Sequence, residues 1–188
     1  MKEMDATDIN LTGSYAVSKR STSILADAYK KYIPVITLRL STVYGRFNDP
    51  TKFIEGTILK ILEKSLIKVA KGVVKDFVYI DDATDALILG ALKAEKLRGE
   101  IINIGSGHGY KLEEVLEIIK EKMKMNIIGL QIEVDEKFQR ANETKNWANI
   151  EKANQILGWK PKYSLSKGLD LMIGWYKENW QKLPKTTG

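Results

Sequence analysis

The segment YAVSKRSTSILADAYKKYIPVITLRLSTVYG, residues 15–45, holds a helix and a strand back to back. Ile24, Leu25, Ala28, Tyr29 and Tyr32 recur at helical spacing, which predicts a helix from Tyr15 to Tyr32. Pro34 ends it, because a proline ring disfavours helical backbone in the residue before it. VITLRLSTVYG (35–45) then opens on a β-branched apolar run and closes on Gly45, the pattern of one buried strand. A helix feeding straight into a buried strand is the repeating unit of an α/β fold.

The alternation continues on the C-terminal side. Phe53, Ile54, Thr57, Ile58, Ile61 and Leu62 predict a helix within 51–65. IKVAKG (67–72) and KDFVYI (75–80) read as two short strands around Gly72, a hairpin candidate. A helix capped by Asp82 and reaching about Ala94, a strand at 100–105 and an amphipathic helix at 112–124 follow. A short strand at 130–134 and helices at 149–157 and 165–180 complete the pattern, with a polar segment at 1–14 and a tail from Lys182.

Composition narrows the chemistry. The chain has 188 residues, 44% apolar and 29% charged, which suits a folded domain with a real core. Its longest apolar stretches, such as ALILGAL (86–92), fall far short of the ~20 residues that span a bilayer. MKEMDAT at the start has no apolar run after its charges and is not a secretion signal, so a cytoplasmic protein is expected. With no Cys and one His, cysteine nucleophiles, disulfides and nearly all structural zinc sites are excluded. An acid/base group is then a Tyr, a Lys or a carboxylate. The net charge of +6 comes from lysines scattered among Glu and Asp, with only five arginines and no basic block. That is a solvated surface and not a nucleic-acid reader, although a smaller anion such as a nucleotide pyrophosphate fits it.

YxxxK places a phenol and an ammonium on one helix face. At about 4 Å and an effective dielectric near 20, the pair gains roughly 4 kcal/mol when the phenol ionises. That is about three pKa units, enough to bring a tyrosine toward neutrality. The chain has two such motifs, YAVSK (Tyr15, Lys19) and YSLSK (Tyr163, Lys167). In the second, Ser164 reads as a helix N-cap, which leaves Tyr163 outside the helix, so Tyr15 and Lys19 are preferred. GSGHG (105–109) follows a strand and precedes a helix, but Tyr110 stands where a dinucleotide fingerprint needs its third glycine. A strand-to-helix turn is favoured there, with His108 a loop residue.

YAVSK, LRLSTVYG (38–45), KDFVYIDDATDAL (75–87), INIGSG (102–107), ILGWKP (156–161) and GLDLMIGWY (168–176), in this order, resemble the NAD-dependent epimerase/dehydratase family of extended short-chain dehydrogenases. The resemblance runs from about Tyr15 to Tyr176 and covers the C-terminal half only. It implies a partial Rossmann-like parallel sheet, its N-terminal strands missing, interleaved over 15–188 with a small substrate-binding α/β domain. It also implies an NAD or NADP cofactor, a UDP- or dTDP-sugar substrate, no nucleic acid or membrane partner, and a homo-oligomer or a separate N-terminal half as partner. By the same resemblance Tyr15 is the catalytic acid/base and Lys19 its partner, both also touching the cofactor. Lys75 stands for an arginine on the nucleotide diphosphate, Arg140 is a second phosphate contact, Glu143 falls near a ribose-binding Asp, and Thr42 replaces an Asn beside the phosphates. Asp81 and Asp82 are expected to cap a helix. With no G-x-x-G-x-x-G segment, the chain is expected to hold NAD weakly and to act only with its other half. A non-catalytic nucleotide-sugar-binding or protein-interaction domain is the alternative.

Overall fold

One serine divides the strand expected over 35–45. In the computed structural model, which describes residues 2–3, 13–124, 132–135 and 147–182, β1 (Thr37–Leu40) pairs in parallel with β6 (Ile101–Ile104). Beyond Ser41, β2 (Thr42–Tyr44) pairs in parallel with β5 (Phe77–Tyr79) instead. The exchange takes a single residue: Ser41 N donates to Ile104 O at 2.8 Å, and Thr42 N donates to Asp76 O at 2.9 Å. Gly105 permits the close approach there, since a Cβ would lie 2.4 Å from Ser41 Oγ. β6 closes tightly on Ser41, and the chain beyond turns to a different neighbour.

The hairpin expected around Gly72 does not form. β3 (Ile67–Ala70) pairs in parallel with β8 (Ile132–Asp135), while β4 (Val74–Lys75) pairs antiparallel with β7 (Tyr110–Lys111). Gly72 turns at φ +74°, and its N–H donates to Glu113 Oε1 at 2.6 Å. A side chain from α4 (Leu112–Met123) therefore satisfies the turn, and the two strands separate to different partners.

α1 (Ser14–Tyr29), α2 (Phe53–Leu62), α3 (Ile80–Lys93) and α5 (Leu165–Asn179) match the periodic segments closely. Ser164 Oγ accepts from Lys167 N at 3.2 Å, the expected cap of α5. The helix expected at 149–157 forms over 151–157, α-helical at Glu151 and Lys152 and π-helical over Ala153–Leu157, and is closed by Gly158 in left-handed backbone. Trp159 N reaches back across Gly158 to Ala153 O at 3.1 Å and closes that end.

Asp82 does not cap α3, whose N-cap position is Tyr79 with no side-chain bond. Its carboxylate, 1% exposed, reaches across to accept from Lys162 N at 2.9 Å and Tyr163 N at 3.0 Å. Its carbonyl accepts from Trp159 Nε1 at 3.0 Å. Asp82 thus ties the segment leading into α5 onto α3. Asp81 does stay in the first turn, where a negative charge suits the helix dipole.

Two buried clusters result. The first gathers Ile54, Ile58, Val115, Ile119, Leu169 and Met172 from α2, α4 and α5. The second gathers Ala83, Ala86, Ile102, Ile104, Leu157 and Trp159. The β2–β5 pair stands between them, with Tyr44, Phe77 and Tyr79 in the first cluster and Val43 and Val78 against the second. α1 joins neither: it has no buried residue, and Ile24, Leu25 and Tyr29 are exposed.

Glu55 lies inside the first cluster's boundary, its Oε1 accepting from Asn48 Nδ2 at 2.7 Å and from Gly45 N at 3.3 Å. Burial pushes its carboxyl above the ordinary range. A raised carboxyl favours the protonated fold, so the associated stability is present at low pH and is lost as pH climbs through the shifted value. Glu55→Gln keeps an acceptor and removes the desolvated charge. Urea unfolding should show the variant equal to or about 1 kcal/mol above the parent at pH 8, with a flatter decline from pH 5 to 8. A steeper decline would contradict the assignment.

Candidate functional site

The exchange at Ser41 opens a cleft of about 600 Å³ where β1 ends and β2 and β5 begin. Crevices at such strand ends, where neighbours change, are where α/β sheets bind ligands. Arg39 and Lys75, half-buried, and Lys52, exposed, bring three cations to it. Ser41, Thr42, Asn48 and Asn103 add neutral hydroxyl and amide groups, and Trp147 adds one large ring. The combination suits an anion carrying hydroxyl groups.

Of the residues singled out in the sequence, Tyr15, Thr42 and Lys75 meet on this cleft. Tyr15 comes from the first turn of α1, and its side chain is 75% exposed. Lys19 is absent from the lining, with Nζ 5.5 Å from the centre of the Tyr15 ring, a face contact. Arg140 and Glu143 lie outside the described residues. Arg39, not singled out, donates through Nη1 to Glu3 O at 2.8 Å.

The second YxxxK lies elsewhere. Tyr163 precedes α5, as expected, and its ring packs on Tyr79 with centroids 4.9 Å apart. Lys167 Nζ stands 4.7 Å over that ring, and neither residue lines the cleft. The buried phenols are unsuited to proton exchange: burial pushes Tyr176 up to about 12 and Tyr44 higher still.

GSGHG forms the turn that leads from β6 through β7 to α4, with Gly107 at φ +76°. Its three central amides are already engaged: Ser106 N and Gly107 N donate to Asp76, and His108 N donates to Ser106 Oγ. This loop does not fit a pyrophosphate, which needs amides that point at the ligand. His108 is exposed, edge-on to Tyr110 at 4.5 Å.

Asp76, 3% exposed, also lines the cleft and was not singled out in the sequence. Its signal is plain afterwards, a single carboxylate inside the apolar stretch VVKDFVYI (73–80). Among the described residues there is no group of three or more His, Cys, Asp or Glu able to hold a metal, and no helix is long and apolar enough to cross a membrane.

Comparison with known proteins bears on the fold and the family. UDP-glucuronate 4-epimerase of Thermodesulfobacterium geofontis is 31% identical over 172 residues, which cover 88% of this chain and 50% of that protein. The crystal structure of a Bacillus anthracis dTDP-glucose 4,6-dehydratase in complex with NAD superposes with a TM-score of 0.80 at 28% identity, over 93% of this chain and 55% of that one. A Bacillus cereus UDP-glucuronic acid 4-epimerase in complex with NAD gives 0.81 at 27% identity, over 96% and 56%. These neighbours have the Rossmann-like α/β fold, and the chain spans about half the length of the relatives it matches. The model of the NAD dependent epimerase/dehydratase family matches residues 2–105, and the chain belongs to that family.

Proposed function

We propose that residues 15–188, following the polar segment 1–14, form the nucleotide-sugar-binding half of an NAD-dependent epimerase/dehydratase. The convergence of Tyr15, Thr42 and Lys75 with Arg39 and Lys52 on one cleft carries this reading. Lys52 also borders a second cleft of about 780 Å³, lined by Phe53, Ile67, Val69 and Leu112 between α2 and β3. A nucleoside diphosphate sugar suits the pair of clefts: base against the apolar walls, phosphates on Lys52 and Lys75, sugar toward Tyr15. Tyr15 Oη exchanges a proton with a sugar hydroxyl, with Lys19 over the Tyr15 ring as its partner. Arg140 and Glu143 are proposed to add a phosphate and a ribose contact.

The amides of residues 106–108 are engaged by Asp76 and Ser106 Oγ, so we assign the pyrophosphate of NAD or NADP to the family's other half. The exposed apolar side of α1 suits a cover by that half or by a second copy. The engaged amides of residues 106–108 equally suit a non-catalytic nucleotide-sugar-binding domain. Activity on adding the N-terminal half of a relative separates the two.

Calorimetry with UDP-glucose and UDP-glucuronate provides the direct test. Lys75→Ala should weaken binding about tenfold, the worth of one charge-assisted contact, and Lys75→Arg should restore it. Equal binding by all three proteins removes Lys75 from the site. A micromolar dissociation constant for NAD on this chain alone would overturn the division of labour.

A further inference from the structure

Asp76 lines the cleft, yet both of its carboxylate oxygens are engaged by the protein. Oδ1 accepts from Ser106 N at 2.8 Å and Ser106 Oγ at 2.6 Å. Oδ2 accepts from Ala148 N at 3.0 Å and Gly107 N at 3.3 Å. The backbone carbonyl of Asp76 accepts from Thr42 N at 2.9 Å. Three segments distant in sequence, 41–42, 105–107 and 147–148, therefore meet on one buried residue beside Lys75. There is no slack around it: a Cβ at Gly105 would lie 2.5 Å from Oδ2.

The Asp76–Ala148 bond fixes the backbone beside Trp147. The Trp147 ring also lies close against Gly109, where a Cβ would come within 2.8 Å of Trp147 Cε3 and 2.7 Å of Val74 Cγ1. Val74 belongs to β4, which ends in Lys75. Trp147 nevertheless remains 43% exposed and lines the cleft. A large ring half open to solvent, held at its backbone by a buried carboxylate, is preorganised for contact with a ligand.

We propose that Asp76 is the positioning residue of this cleft: its carboxylate holds residues 106–107 and 148 so that Trp147 and Lys75 face the same ligand. It is not the acid or base, since its lone pairs are spent on N–H and O–H donors. The ligand named here, a nucleoside diphosphate, rests on the function proposed above; the placement of Trp147 does not.

Asp82 supplies a matched control. It too is buried and accepts two backbone amides, and it does not line the cleft. Asp76→Asn and Asp82→Asn each put an NH₂ group where an acceptor oxygen is required, so both should lower the melting temperature. In ¹H–¹⁵N spectra of the full chain, the Trp147 indole signal is identified by its loss in Trp147→Phe. That signal should shift in Asp76→Asn and stay in place in Asp82→Asn. With UDP as probe, calorimetry should show a ten- to hundredfold loss for Asp76→Asn and a change within about threefold for Asp82→Asn.

An unmoved indole signal, or equal UDP losses in the two variants, overturns the proposal. If Asp76→Asn does not fold, Ser106→Ala removes one donor and leaves the carboxylate; it should move the same signal less, and an unmoved signal again overturns the proposal. Failure of the parent chain to bind UDP counts against the nucleotide-sugar function alone, and the indole signal then decides the role of Asp76.

Discussion

If the proposed function holds, Tyr15→Phe is expected to abolish the turnover obtained on adding the N-terminal half of a relative, with a loss of about 10²- to 10⁴-fold, the usual worth of a positioned acid/base group. Removing the phenol oxygen leaves the cations of the cleft in place, so UDP-sugar affinity should hardly change. The loss belongs in kcat with KM preserved. Tyr163→Phe should alter neither quantity, because Tyr163 packs on Tyr79 away from the cleft. Steady-state kinetics on the reassembled enzyme checks both variants, and a reversal of the two outcomes would move the chemistry to the second YxxxK.

Leu169→Ala should cost about 2–5 kcal/mol, the range for truncating a fully buried leucine. Leu169 is 0% exposed, in the first cluster with Ile54, Ile58 and Ile119. Leu171, two residues further along α5, is 47% exposed, and its alanine variant should stay within about 0.5 kcal/mol of the parent. Guanidinium unfolding of the pair tests whether the face of α5 is assigned correctly. Comparable losses at both positions would mean that Leu171 is covered in solution.

Features whose cause lies nearby in the chain were legible in the sequence. The helices at 14–29, 53–62, 112–123 and 165–179 follow from apolar spacing, and Ser164 from cap chemistry. What the sequence hides is set by distant partners. Ser41 and Thr42 part because Ile104 and Asp76 each claim one amide. The segment around Gly72 opens because Glu113, from α4, takes its amide. Asp82 sits where a cap could be, but two amides some eighty residues away claim its carboxylate. The site follows the same division. YxxxK, LRLSTVYG and KDF pointed to Tyr15, Thr42 and Lys75, which do share a cleft. Arg39 and Asp76 lie inside the same motifs but were not singled out, and the place of Asp76 beside the cleft shows only when residues 105–107 and 147–148 are brought alongside.

The β2–β5 pair has a consequence for how the molecule tolerates change. It is three residues against three, Thr42–Tyr44 on Phe77–Tyr79. Yet it is a party wall: aromatic rings fill one side and valines the other. Because successive strand residues face opposite ways, neither side can be repacked without displacing backbone that supports the other. Substitutions there are constrained by two neighbourhoods at once. Drift in sequence should therefore be slowest in this small patch, and an insertion inside it would uncouple the halves of the molecule that it joins.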